Sequence, residues 1–256
     1  MNYEFLAELK ETIKWAAMAT VAIICCCWLF FDFHIVNRTK RLLGMQHPRI
    51  VIIDEGAFAT YEKLIAPIAK QKRVPIGIMV ESWAIGAKGR LSRDYLAKTS
   101  SECVIGLRHI KKTDPDLQNK TKLKERLLKE KAILDKAKIK AKYAIYPWDG
   151  NNVKYMKPLV RGIWSGAITK NSRPIANGAK MDKHQIYGYN IGYAKPIKFE
   201  EIALFADRVN QVDGLGVLMI RSYNKHFTAA ARKELERGID YILDLGVEIG
   251  QLAMSN

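Results

Sequence analysis

The sequence predicts an α/β fold, an incomplete (β/α) barrel preceded by an N-terminal transmembrane helix. Two observations carry that prediction. From Arg49 onward, short apolar runs rich in Ile and Val alternate with stretches of helical periodicity. Strand, helix and strand at this spacing imply parallel strands joined by crossover helices. Ahead of them, residues 15–31 (WAAMATVAIICCCWLFF) carry no charge at all. The repeated units favour a barrel, although the pattern itself does not separate a barrel from an open parallel sheet.

In chain order, residues 1–14 form a polar lead. The uncharged run follows and is bounded by Lys14 and Asp32. Its length sits at the lower edge of a membrane-spanning helix, and Phe33, Ile35 and Val36 extend it to residue 36. Apolar residues occupy every face rather than one stripe, which argues against a buried core helix. Trp15 and Trp28 suit the two interfaces. No small-residue cleavage site follows, so the segment reads as an uncleaved anchor. Residues 1–36 are therefore tail and anchor, 37–48 a basic linker ending at Pro48, and 49–256 the folded domain. Lys10 and Lys14 precede the span, while Arg38, Lys40 and Arg41 follow it, a slight bias toward a cytoplasmic domain. Cys25, Cys26 and Cys27 lie in the span and Cys103 stands alone, which excludes a disulfide framework and a cysteine-based zinc knuckle.

Within the domain, Ile50–Ile53 reads as a buried strand, followed by a helix over Thr60–Lys72 and a second strand at Ile76–Val80. A helix around Ser92–Ser100 leads to the strand Cys103–Leu107. Leu123, Leu127, Leu134, Ala137 and Ala141 then recur at helical spacing. The surrounding residues 118–142 hold nine lysines and one arginine against three acids, net +7 within a chain of net charge +16. Strand-like runs at Tyr143–Tyr146, Gly162–Ile168 and Gly216–Ile220 precede a helix over Ala229–Leu245 and a closing Val247–Leu252. No base-reading motif accompanies the basic charge, so nucleic acid is not the expected partner. Anionic lipid or an anionic wall polymer suits an anchored protein better.

The candidate chemistry begins where the first strand ends, at Asp54-Glu55-Gly56. Two acids at the C-terminal mouth of a parallel strand stand where α/β folds place their chemistry, and Gly56 permits the sharp turn out. One carboxylate can hold a metal while the other takes a proton from the water that metal activates. The alternative role for the pair is to cap the helix starting near Thr60. Among the histidines, His34 and His47 flank the anchor. His226 lies five residues beyond Arg221, on a loop. His184 stands beside Tyr187, Tyr189 and Tyr193, tyrosines that read either as sugar-stacking rings or as half-buried strand residues.

The order VIIDEGAFATYEKLIAPIAKQKRVPIGIMVES, VIGLRH, AIYPWDGNN, GVLMIRSYNK and GIDYILDLGVEIGQL resembles the polysaccharide deacetylase (NodB-homology) family, from about Arg49 to Leu252. That resemblance implies a distorted (β/α) barrel and hydrolysis of acetyl groups on sugar polymers. It also implies a divalent metal, zinc or similar, held by one Asp and two His beside an Asp base. Carried over, Asp54 becomes the base and Glu55 a metal ligand one methylene longer than the family's. His109 and Asp114 fall near the paired histidines, with Arg108 as the other position for the first. Tyr146, Pro147 and Trp148 match the loop that lines the sugar site, and Trp164 is a further platform. Arg221 stands where the family has its catalytic histidine and could act as a fixed cation at an oxyanion. Carboxylates in place of imidazoles imply a weakly held ion or none.

Two functions follow from the resemblance. One is a membrane-anchored, metal-dependent deacetylase of an N-acetylated cell-surface polysaccharide. The alternative is a catalytically impaired relative that serves as a carbohydrate-binding or scaffolding module. The family's substrates place the domain outside the cytoplasm, against the slight charge bias.

Overall fold

The computed structural model describes Trp15, Met18, Thr20 and residues 47–107, 110, 119–147, 153–178 and 181–252. The chain divides into two units, Met1–Gln46 and His47–Asn256. In the first, Trp15, Met18 and Thr20 are helical, and the rest of the expected anchor, residues 15–36, lies outside the described residues. No helix among the described residues is long and apolar enough to cross a membrane.

The second unit winds strands and helices in turn. Strand β1 (Arg49–Glu55) leads through a π-helical turn, Tyr61–Ile65, into α1 (Ala66–Lys72), then β2 (Ile76–Val80), α2 (Arg93–Lys98) and β3 (Cys103–Gly106). The basic helix α3 (Lys120–Lys136) precedes β4 (Tyr143–Ile145), α4 (Val153–Arg161) and β5 (Gly166–Asn171). Among the described residues no helix separates β5 from β6 (Ile186–Asn190); α5 (Phe199–Gln211), β7 (Leu215–Ile220), α6 (Ala229–Asp244) and the short β8 (Glu248–Ile249) complete the unit. Local chemistry sets several ends. The Ser92 hydroxyl accepts from the Tyr95 amide at 3.1 Å to cap α2, and Asn119 and Thr228 cap α3 and α6 in the same way.

All strand pairs are parallel, and the order β2-β3-β4-β5-β6-β7-β1 closes on itself because β1 also pairs with β2. The open-sheet alternative is thereby excluded: seven strands form a ring. The distortion lies at β8, which pairs with Arg49 and Ile50 on β1, whereas β2 engages β1 only from Ile52 onward.

Closure produces two cores. Val51, Ile53, Met79, Val104, Tyr143, Ile145, Ile168, Ile186, Val217 and Met219 fill the barrel. Ile50, Ile52, Ile78, Ile105, Leu218 and Ile220 point the other way, against the helices, where Leu123, Leu127 and Leu134 of α3 and Phe205 of α5 meet them. The two-residue alternation of each strand thus decides which side chains enter the barrel. The apolar interior stops below the C-terminal ends of the strands.

Candidate functional site

At the top of β1 the alternation parts the two carboxylates. Glu55 continues the inward series of Val51 and Ile53, while Asp54 continues the outward series of Ile50 and Ile52. Both are buried. Gly56, at φ +97°, then turns the chain away, and a Cβ there would stand 2.6 Å from the Phe58 ring.

Glu55 meets two cations carried by other strands. On β5, Lys170 shares the inward parity of Ile168, and its Nζ lies 2.9 Å from Glu55 Oε1, an ion contact without hydrogen-bond alignment. Just past β7, Arg221 continues the series of Val217 and Met219, and its Nε donates to Glu55 Oε2 at 2.8 Å. The Arg221 guanidinium also lies over the Tyr193 ring, 4.0 Å from its centroid. Asn190, at the end of β6, places a buried Oδ1 that has no hydrogen-bond partner among the described residues.

A divalent ion on Glu55 does not fit this arrangement. Each carboxylate oxygen already faces a fixed positive group at contact distance, so an added cation would be repelled at short range. The described residues contain no cluster of three His, Cys, Asp or Glu that could hold a metal ion. His109 and Asp114, the other two expected ligands, lie outside the described residues, as do Arg108 and Trp148.

Asp54 has different company. Its Oδ1 accepts from the Ser222 backbone amide at 2.8 Å and its Oδ2 from the Ser222 hydroxyl at 2.6 Å. That hydroxyl lies 3.1 Å from Thr60 Oγ1 on the half-buried turn before α1. Burial raises the Asp54 pKa to about 7; the neighbouring Glu55 charge adds to the rise, and the two Ser222 hydrogen bonds oppose it. The result is a carboxyl that exchanges its proton near neutrality, linked through two hydroxyls toward the surface. It does not act as a cap: the turn that follows Thr60 has no side-chain cap hydrogen bond.

Aromatic side chains rim the same end of the barrel. Phe58 stacks on Tyr223 with centroids 4.1 Å apart, and the Arg90 guanidinium covers Phe58 at 3.6 Å and Trp83 at 5.3 Å. Arg90 also donates to the Gly56 carbonyl and lies 3.5 Å from Glu81, which holds the loops after β1 and β2 together. The rings of Trp83 and Tyr193 remain 60% and 59% exposed, leaving two open apolar faces beside the buried charges. A separate cavity of about 360 Å³, lined by Val51, Ile53, Gly77, Val104 and Tyr143, opens at the opposite end of the barrel, away from both carboxylates.

No protein-family model matches the chain, and no curated protein matches it. Solved structures do. The Xyl-CE4 domain of a multidomain xylanase from the hindgut metagenome of Trinervitermes trinervoides superimposes at TM-score 0.54 and 12% identity, covering 80% of this chain and 88% of that one. A protein provisionally named a polysaccharide deacetylase, from Mycobacterium smegmatis, superimposes at TM-score 0.51 and 10% identity, covering 82% and 96%. The chain has the polysaccharide deacetylase fold. Its seven-strand parallel ring is the barrel that the resemblance implied.

On that fold the expected site residues separate. Asp54, Glu55 and Arg221 come together at the mouth. Tyr146 and Trp164 do not join them as sugar platforms, because both are core residues with 1% and 4% exposure. The Tyr146 hydroxyl donates to the His184 carbonyl at 3.0 Å, and the His184 ring contacts the Trp164 carbonyl at 3.1 Å, so these three lock one another outside the barrel. Pro147 is half-buried beside Tyr146. Lys170, Ser222, Trp83 and Arg90 also belong to this mouth and are not among the residues the sequence points to. Lys170 was detectable in principle, since Gly166, Ile168 and Lys170 share one parity; Trp83 and Arg90 sit in loops with no periodic signal.

Proposed function

We propose that this chain binds an N-acetylated cell-surface polysaccharide at the C-terminal mouth of its barrel, as a deacetylase relative whose metal-assisted hydrolysis is lost. The observation that carries the reading is the position of Glu55 between Lys170 and Arg221, which puts fixed cations around the carboxylate a metal would need. Open rings at Trp83 and Tyr193 offer apolar faces to sugar rings. The unpartnered Asn190 Oδ1 suits a sugar hydroxyl or acetamide N–H as donor. Both structural relatives named above are polysaccharide-processing proteins by name, which agrees with a glycan ligand. Residues 15–36 would anchor the chain with the barrel outside the cytoplasm, and protease shaving of intact cells should then degrade it. Complete protection would remove a cell-surface polymer from consideration.

The decisive measurement pairs a titration of N-acetylglucosamine oligomers with an acetate-release assay. Binding without acetate release, weakened in Trp83→Ala and Tyr193→Ala, is the expected result. Rapid acetate release that disappears in Asp54→Asn would defeat it.

That outcome would favour a second reading, which rests on Asp54. A carboxyl that titrates at about 7 can accept a proton from an attacking water near neutral pH, and Arg221 could steady the developing oxyanion. In that case acetate release would rise with pH through about 7.

A further inference from the structure

We infer that the barrel mouth selects glycans bearing an oxyanion, a carboxylate or phosphate substituent bound by the terminal nitrogens of Arg221. The inference rests on the glycan-binding reading and specifies which glycans it concerns. Arg221 is held on three counts. Its Nε donates to Glu55, its guanidinium face lies on Tyr193, and its side chain is 9% exposed. Among the described residues, none accepts a hydrogen bond from its Nη1 or Nη2. A guanidinium fixed through Nε keeps its end-on fork, two parallel N–H bonds whose spacing matches the two oxygens of a carboxylate or phosphate.

The local charge points the same way. Lys170 and Arg221 set two cations against the single Glu55 carboxylate. An oxyanion brought to the fork would meet the guanidinium in a place where water does little to screen the attraction. Tyr193 connects the fork to the sugar: one face covers the guanidinium while most of the ring stays open to solvent. A sugar ring against Tyr193 would therefore present a ring substituent to Arg221. A neutral N-acetylated sugar has nothing of that charge to offer.

The test uses the full chain and three matched probes in calorimetric titrations: chitotetraose, its C6-oxidised carboxylate counterpart, and its 6-phosphate counterpart. At least one anionic probe should bind tenfold or more tighter than the neutral one, and the comparison between the two identifies the oxyanion. Arg221→Lys keeps the charge but lacks the fork, so the preference should fall several-fold; in Arg221→Met it should vanish. Trp83→Ala should weaken all probes by a similar factor and leave the preference intact. Equal binding of neutral and anionic probes overturns the inference but leaves the glycan reading standing. A preference that survives in both Arg221 variants also overturns it, because the charge selection would then come from elsewhere, such as the lysines of α3. If Arg221→Met fails to fold, the Arg221→Lys comparison decides alone. No binding of any probe defeats the glycan reading itself.

Discussion

Asp54 and Ser222, 168 positions apart in the chain, are joined by two hydrogen bonds, amide to Oδ1 at 2.8 Å and hydroxyl to Oδ2 at 2.6 Å. The contact fixes the loop after β7 to the end of β1 at the seam that closes the ring. It also makes the seam sensitive to proton uptake. Folded, Asp54 keeps its proton up to about 7, whereas in an unfolded chain it releases it near 3.8. The folded state therefore binds more protons between those values, and stability from this group falls as pH rises from about 4 to about 7. The size is on the order of 4 kcal/mol. Urea unfolding at a series of pH values should show this slope in the wild type and a flatter curve in Asp54→Asn. A slope of equal size in both proteins would mean that Asp54 titrates normally.

A second expectation concerns the buried ion group. Removing one partner leaves the others desolvated and unmatched, at a cost of roughly 3–5 kcal/mol, whereas replacing the whole group with apolar side chains of similar volume is often neutral. Glu55→Gln should therefore destabilise the barrel clearly, and the triple substitution Glu55→Met, Lys170→Met, Arg221→Met should recover most of the loss. Denaturant midpoints of the two variants make the comparison. A triple variant less stable than Glu55→Gln would show that the group contributes net stability.

Metal addition is the third test. With Lys170 and Arg221 on Glu55, zinc or manganese added to chelator-treated protein should leave the thermal midpoint unchanged, since only a ligand that binds the folded state raises it. A rise of several degrees that disappears in Glu55→Gln would place a metal at Glu55 after all.

Packing between α5 and α6 gives a fourth. At Gly238 a Cβ would lie 2.6, 2.7 and 3.0 Å from three atoms of Ile202. Gly238→Ala gains about 1 kcal/mol of helix propensity but overpacks the interface at about 1–3 kcal/mol. The overpacking should win, with the thermal midpoint lowered by a few degrees. A higher midpoint would show that Ile202 can move aside.

Much of the barrel was legible because buried parallel strands are continuous apolar runs. Ile50–Ile53, Ile76–Val80 and Gly216–Ile220 each fall within an observed strand. Elements without that signature are ambiguous in the sequence. Strand β6 reads IYGYN, whose tyrosines and glycine suggest a loop as readily as a strand, and α4 carries Pro158 inside it. The apolar run Gly162–Ile168 begins four residues ahead of the observed strand and ends before Lys170, so the inward parity of Lys170 does not show in it. The site was legible in part for the same reason. Asp54, Glu55 and Arg221 end apolar runs and were visible. Glu55's partner on β5 depends on ring closure, which no local pattern encodes.

Around the ring, each strand from β1 to β7 lies beside its successor in sequence, and the one remaining junction joins β7 to β1. The barrel can therefore extend strand by strand as the chain leaves the ribosome, with only that last seam demanding a distant partner. Until Leu215–Ile220 has emerged, one side of β1 stays an open edge of Ile and Val, a template for another chain's strand. Ribosome pausing shortly before residue 215 would prolong that exposure, and the yield of soluble protein should depend on how quickly translation passes that point.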